Sequence, residues 1–254
     1  MSKTLKEANL GDSKDIDDAF GHVFMDRHNG MDSDCVIERD DGYVDINDSK
    51  PYFSAYEDWP AIERRAMRYV GKRVLDVGCG PARHALYLQG RGHDVTGVDV
   101  SPLAIKVAKA RGLKKALVMP LSGLRFPRAS FDSVLMLGNN FALFGSPGAA
   151  KRILKRIYTV TSQHARILAE TLDPYRTSNP AHLRYHALNR ARGRMPGQTR
   201  IRVRYGPYRD RWMNLLFVSK SEMKDILKGT GWKITRVLDE GGSHYLAVLD
   251  KTST

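Results

Sequence analysis

Apolar and polar positions along this chain follow two periods, and their clearest alternation lies between Lys72 and Arg111. Arg73-Val74-Leu75-Asp76-Val77 is β-branched and apolar enough for a strand buried on both faces, and Gly78-Cys79-Gly80 breaks it sharply. Ala82, Ala85, Leu86 and Leu88 then give the apolar side of a helix that Gly90 and Gly92 stop. The second run, Asp94 to Val98, ends at Asp99, and Ser101 with Pro102 makes an N-cap and N1 pair for the next helix. This spacing predicts a βαβα unit.

Upstream, Met1 to about Gly11 lacks apolar periodicity and is expected to be mobile, whereas Ser13 is placed to cap a helix with Ile16, Phe20, Val23 and Phe24 on one face. Residues 36–39 and 43–46 flank Asp40-Asp41-Gly42, a hairpin signal. An aromatic-rich loop over 51–60 leads to a helix over 61–69. Downstream, the pattern predicts strands over 116–119, 131–137 and 165–172, with a helix opened by Ser146-Pro147 whose core face is Ile153, Leu154, Ile157 and Val160. After a helix over 179–194, Arg200 to Tyr205 alternates strictly, placing Arg200, Arg202 and Arg204 on one face. Gly206-Pro207 and residues 212–218 complete a hairpin, Ser219 to Glu222 is a capping box, and 232–238 and 244–249 read as strands.

The 254 residues, 42% hydrophobic, suffice for one large domain with an added subdomain. Cys79 lies inside the glycine turn and Cys35 is the only other cysteine, which suits a reduced, cytoplasmic setting without a disulfide framework. No apolar run approaches the ~20 residues of a membrane span, and the polar N-terminus is unlike a secretory signal. The net charge of +13 is uneven: residues 1–70 carry 16 acids against 9 bases, while 151–211 carries 15 bases against three acids. An RNA backbone could be followed by Arg200, Arg202 and Arg204, with Tyr205 and Tyr208 to stack on bases. A solvated hairpin face explains the same charges equally well.

Glycines at a first strand-to-helix turn and a carboxylate ending the second strand suit a nucleoside-bearing ligand. Asp76 before the turn would repel a pyrophosphate and attract a cation, which favours S-adenosylmethionine over a dinucleotide. LDVGCGPARHALYL followed by VTGVDVSPLAIKVAK resembles the first and second motifs of class I S-adenosylmethionine-dependent methyltransferases. The Gly80–Leu88 portion is most similar to the small-molecule branch typified by tellurite and thiopurine methyltransferases, and the resemblance spans about Val70 to Asp173. It implies an α/β, Rossmann-like, doubly wound and mostly parallel seven-stranded sheet with helices on both faces. Residues 1–70 would form an N-terminal cap, and 71–254 the cofactor-binding domain with a substrate-side helix-plus-hairpin insert at 174–217.

The resemblance assigns Asp76, Gly78, Cys79, Gly80, His84, Asp99, Val100, Leu121, Leu137, Gly138 and Asn139 to the cofactor, with Asp99 on the ribose. Tyr52, Tyr56 and Trp59 of the aromatic loop could cover the sulfonium, Tyr56 first among them, or else staple the cap to the core. Met119-Pro120-Leu121-Ser122 lacks the acid that many members use for adenine, and there is no Asp/Asn-Pro-Pro-Tyr/Phe motif for exocyclic amines. Methyl transfer needs alignment more than a base, so Asn139, Asp173, Tyr175 and His186 are candidates for orienting an acceptor or removing its proton. His182 and His186 share a helix face but lack a third metal ligand. The expected activity is methyl transfer to a small molecule, with RNA methylation and non-catalytic regulatory binding as alternatives and the oligomeric state open.

Overall fold

The computed structural model describes residues 18–252. The chain begins with α1 (Ala19–His28), followed by the hairpin β1 (Cys35–Arg39) and β2 (Val44–Asn47). The expected cap Ser13 and face residue Ile16 lie outside the described residues; Asp18 caps α1, its carboxyl accepting from the Gly21 amide at 3.1 Å. Two 3-10 turns carry the aromatic loop into α2 (Ala61–Ala66). The alternating part then runs β3 (Arg73–Val77), α3 (Arg83–Gly90), β4 (Asp94–Asp99), α4 (Pro102–Ala110), β5 (Lys115–Val118), β6 (Phe131–Met136), α5 (Pro147–Val160) and β7 (Thr161–Leu172). After it come α6 (Pro180–Ala191), β8 (Gln198–Tyr205), β9 (Tyr208–Arg209), β10 (Met213–Leu216), α7 (Lys220–Leu227), β11 (Trp232–Asp239) and β12 (His244–Lys251).

Seven strands form one sheet in the order β11-β12-β7-β6-β3-β4-β5, parallel except for β12, which pairs antiparallel with both β7 and β11. Successive residues feed opposite faces: Leu75 and Val134 pack with Ile153, Leu154 and Ile157 of α5, whereas Val74 and Leu135 pack with Ala85 and Leu88 of α3. Strand order reverses between β3 and β6, which opens a crevice at their carboxyl ends. β7 begins at Thr161, four residues ahead of the apolar run expected from Ala165. Its polar start still pairs with Phe131, and an irregularity before Ser133 absorbs the unequal spacing.

The second sheet joins distant parts of the chain. Its order is β10-β8-β1-β2, with β9 on β8, so the N-terminal hairpin pairs edge to edge with the insert hairpin. Glu38 lies opposite Arg202 and holds it through two bonds of 2.9 Å, while Arg204 reaches Glu38 at 3.5 Å. Arg202 also lies over Trp212 at 4.6 Å. Asp210 of the insert accepts the Asp18 and Ala19 amides at 2.9 and 2.6 Å, and Tyr205 bonds Asp26 at 2.7 Å, binding α1 to this sheet. From α6, the Tyr185 hydroxyl donates to Asp40 at 2.6 Å. No helix among the described residues is long and apolar enough to cross a membrane.

Candidate active site

The turn after β3 is held open by backbone conformation. Gly78 and Gly80 have φ of +66° and +51°, and Ala82 takes the left-handed region at +70°. A side chain at Gly78 would place its Cβ 2.8 Å from the Asn140 amide nitrogen and from Leu143, so only glycine fits. Asn140 braces the turn by donating to the carbonyls of Val77 and Gly78 at 2.8 and 2.9 Å. Asp99 closes the other side, one oxygen accepting the Gly80 amide at 2.9 Å and the other the Ser101 amide at 3.0 Å. Cys79 turns its sulfur into the core, 2.9 Å from where a Cβ on Gly97 would stand, so only its backbone faces the turn.

Behind the turn lies a set of buried acids. Asp76 is 2% exposed and its Oδ2 has no hydrogen-bond partner. Burial, and then the charge of Asp99, push its carboxyl up to about 7. Glu170, near the carboxyl end of β7 after its apolar run, accepts the Gly138 amide at 2.7 Å. Burial, and then Glu63, push it up to about 8. Glu63 is buried too, which works against its ionisation, but His84 at 2.9 Å and Arg83 at 2.7 Å hold its carboxyl below the ordinary value. His84 is thereby a structural link between α2 and α3, and burial lowers its own affinity for a proton.

Of these groups, Glu63 and Glu170 open onto a cavity of about 470 Å³ whose lining also includes Tyr52, Arg83, Asn139 and His244. Asn139, at φ +67°, keeps a buried Oδ1 without a partner. The wall comes from the N-terminal segment, the turn after β6, β7 and the β11–β12 turn. No lining residue belongs to 174–217, which meets the N-terminal segment through the pairing of β8 with β1 and through Asp210, Tyr205 and Tyr185.

The structure gathers Asp76, Gly78, Gly80, Asp99, Gly138 and Asn139 at the carboxyl ends of β3, β4 and β6. Val100 follows them as an exposed apolar residue, 65% accessible. Leu121 and Leu137 are core residues. Tyr56 departs from its expected place over the cofactor: its ring stacks on Tyr87 of α3 at 4.4 Å, because α3 offers a flat apolar partner. The aromatic loop reaches the cavity through Tyr52 instead.

Asp173, Tyr175 and His186 do not line the cavity. Asp173 accepts the Tyr175 amide at 3.0 Å, and the Tyr175 hydroxyl donates to Glu222 at 2.6 Å, away from the cavity lining. His186 is buried on α6, and burial followed by the charge of Arg190 lowers its proton affinity. Among the described residues, no group of three or more His, Cys, Asp or Glu side chains is arranged to hold a metal. Sequence reasoning passed over Glu63, Arg83, Glu170 and His244. For Glu170 a signal existed: an ionisable side chain in a strand buried on both faces is costly unless it serves something.

Residues 74–164 match the family model described as a methyltransferase domain. The chain carries a class I S-adenosylmethionine-dependent methyltransferase domain. A 2-heptyl-1-hydroxyquinolin-4(1H)-one methyltransferase of Mycobacteroides abscessus is 50% identical over 44 residues, 17% of this chain and 19% of that protein. A ubiquinone biosynthesis O-methyltransferase of Bordetella avium is 38% identical over 56 residues, 22% of this chain and 23% of that protein. The chain thus spans about a fifth of the length of these curated relatives. The methyltransferase fold extends further: a Bacteroides fragilis S-adenosylmethionine-dependent methyltransferase, solved with S-adenosylhomocysteine, superposes with a TM-score of 0.80 at 24% identity, over 93% of this chain and 95% of that one.

Proposed function

We propose that this chain transfers the methyl group of S-adenosylmethionine to a small-molecule acceptor seated in the cavity beneath the N-terminal segment. The carrying observation is that the glycine turn and Asp99 stand at the strand ends, where the buried Asp76 Oδ2 and Asn139 Oδ1 lack partners and where Gly138 and Asn139 line the cavity. Such orphaned acceptors suit a ligand that brings both hydrogen-bond donors and positive charge. A volume of about 470 Å³ falls in the range of small-molecule pockets.

Each oxygen of Asp99 accepts one backbone amide and keeps a lone pair for a ribose hydroxyl. Val100, and Leu143 beside Gly78, offer exposed apolar surface to the adenine. Arg83 is available to a carboxylate at the amino-acid end. Bound there, the cofactor supplies an electrophilic methyl group whose carbon–sulfur bond breaks as an acceptor lone pair attacks. Asn139 orients the acceptor through its free Oδ1, and the His244 imidazole takes a proton from it where one must leave. Tyr52 and Ile62 exclude water from the same space.

The relatives' names, a hydroxyquinolinone methyltransferase and a ubiquinone-biosynthesis O-methyltransferase, support a small aromatic acceptor. An RNA acceptor is less well supported, because Arg202 and Arg204 direct their charge at Glu38 within the sheet. Incubating the protein with labelled S-adenosylmethionine, cellular RNA and a metabolite extract tests this reading: label is expected among metabolites, and label confined to RNA would overturn it. Asp99→Ala is expected to weaken cofactor binding at least about tenfold; unaltered affinity would remove the ribose assignment.

A further inference from the structure

Of the arginines that alternate along β8, Arg202 and Arg204 are turned on Glu38, and Arg200 is not. Its guanidinium lies 5.4 Å from the Trp212 ring and lines a second cavity, of about 160 Å³, together with Arg194 from the turn after α6. Among the described residues, no acid forms an ion pair or hydrogen bond with either guanidinium.

Backbone geometry brings the two arginines together. Gly193, at φ +67°, turns the chain back after α6, and the Arg194 amide donates to the Asn189 carbonyl at 2.8 Å. Gln198 opens β8 with its Oε1 accepting the Met195 amide at 2.9 Å, which leaves its side-chain NH2 as a donor at the cavity wall. Asn214 of β10 pairs with Arg200, and its carbonyl oxygen would stand 2.9 Å from a Cβ on Gly145, itself at φ +70°. Only glycine there lets the second sheet come so close to the junction of β6 and α5. The cavity therefore lies in the seam between the insert and the large sheet's helices, with Gly145 and Ser146 on its far side.

This cavity and the acceptor cavity differ in sign. The acceptor cavity carries Asp48, Glu63, Glu170 and Glu240 against Arg83, whereas the seam cavity carries two guanidiniums and no acid. The start of α5 adds little, since Pro147 has no amide hydrogen and the Ser146 hydroxyl already accepts the Ala149 amide at 3.3 Å. The charge comes from the two side chains. A phosphate monoester carries about −1.5 to −2 at neutral pH, while a carboxylate or a phosphodiester carries only about one charge. The volume lies below the roughly 300 Å³ at which whole small-molecule pockets begin, so it suits one group of a ligand.

We propose that Arg194 and Arg200 hold a phosphoryl dianion, as free phosphate or as the terminal group of a small phosphate monoester, and that this anion ties the insert to the β6–α5 junction. The guanidiniums pair with its oxygens, and the Gln198 amide donates to another. The site is separate from the cofactor turn and the acceptor cavity, so it stands independently of the reading above.

Equilibrium dialysis of the full chain against labelled inorganic phosphate, near neutral pH and at constant ionic strength, reads the site directly. One saturable site per chain is expected, with glycerol phosphate displacing the label and with acetate and dimethyl phosphate at least about tenfold poorer competitors. Tighter displacement by glycerol phosphate than by unlabelled phosphate assigns the site to a monoester; equal or weaker displacement assigns it to free phosphate. Arg194→Gln and Arg200→Gln should each weaken binding about tenfold or more. Lys155→Gln, which removes an exposed charge of α5 outside the lining, should leave binding unchanged. No saturable binding at millimolar phosphate, equal competition by acetate, or equal loss in Lys155→Gln would overturn the proposal. So would stronger displacement by an RNA oligonucleotide lacking a terminal phosphate, which would make the seam a nucleic-acid contact. The competition series needs only the unmodified chain, so it decides the matter even if a variant does not fold.

Discussion

The seven-stranded sheet encloses Leu75, Leu135 and Leu168 completely between layers of helix, whereas the five-stranded sheet leaves Val44 and Ile46 on its edge strand 53% and 73% exposed. In the first, apolar burial on both faces holds the strands; in the second, much of the cohesion is polar, from Glu38 with its arginines to Asp210 on the α1 amides. Burial is insensitive to salt, while partly exposed ion pairs are weak and screened. The glycine turn and Asp99 thus stand on the stiff sheet, while the compliant one gives the cavity lining only Asn47, at the end of β2. Amide exchange is expected to be faster in β1, β2 and β8 than in β3, β6 and β7; equal protection would end the distinction.

The largest effect is expected where the stiff sheet meets the ligand. Gly78→Val forces a branched side chain into a left-handed position against Asn140 and Leu143, and should cost roughly 2–4 kcal/mol in thermal or denaturant unfolding and abolish cofactor binding. Next comes pH. Glu170 and Asp76, raised to about 8 and about 7, keep protons in the folded chain that the unfolded chain has lost, so raising the pH from about 5 to 8 should lower the melting temperature of the ligand-free protein by several degrees.

Smaller effects belong to the second sheet. Glu38→Gln is expected to cost about 1 kcal/mol, with the difference shrinking in concentrated salt. Hydrogen bonds from Arg202 hold the Glu38 carboxyl below its ordinary 4.5, so its contribution is complete above that pH and is lost as the pH falls through the lowered value. Arg200→Ala, which removes only an exposed guanidinium 5.4 Å from the Trp212 ring, should cost about 0.5 kcal/mol or less. A larger loss there would mean that the second sheet depends on this contact after all.

Local chemistry made the region from Arg73 to Arg111 legible nearly residue by residue. Each strand there passes to its helix through glycine, serine or proline, and partners lie close in sequence; Ser101 and Ser146 cap the helices they were expected to cap. The pairing of β1 with β8 was not legible, because two short alternating strands carry no mark of which distant edge they will join. Tyr52 and Tyr56 are neighbours in one aromatic loop, and only the position of Tyr87 on α3 decides which ring is engaged there. Asp173, Tyr175 and His186 were chosen as polar groups past a strand end, yet the turn and α7 satisfy two of them locally. Glu63 and Arg83 look like ordinary helix surface until α2 and α3 close over them.

The edge-to-edge pairing of β1 with β8 also bears on the order in which the molecule is assembled. Glu38 and Arg202 are 164 residues apart, so the β1–β2 hairpin finds its partner strand only after β3 to β7 have been made. Until then it is the β1 edge that stands unpaired, while β2, with Val44 and Ile46, remains an edge in the finished sheet. The pairing of β1 with β8 is thus a contact of high sequence separation, made across a strand platform whose own neighbours lie closer along the chain.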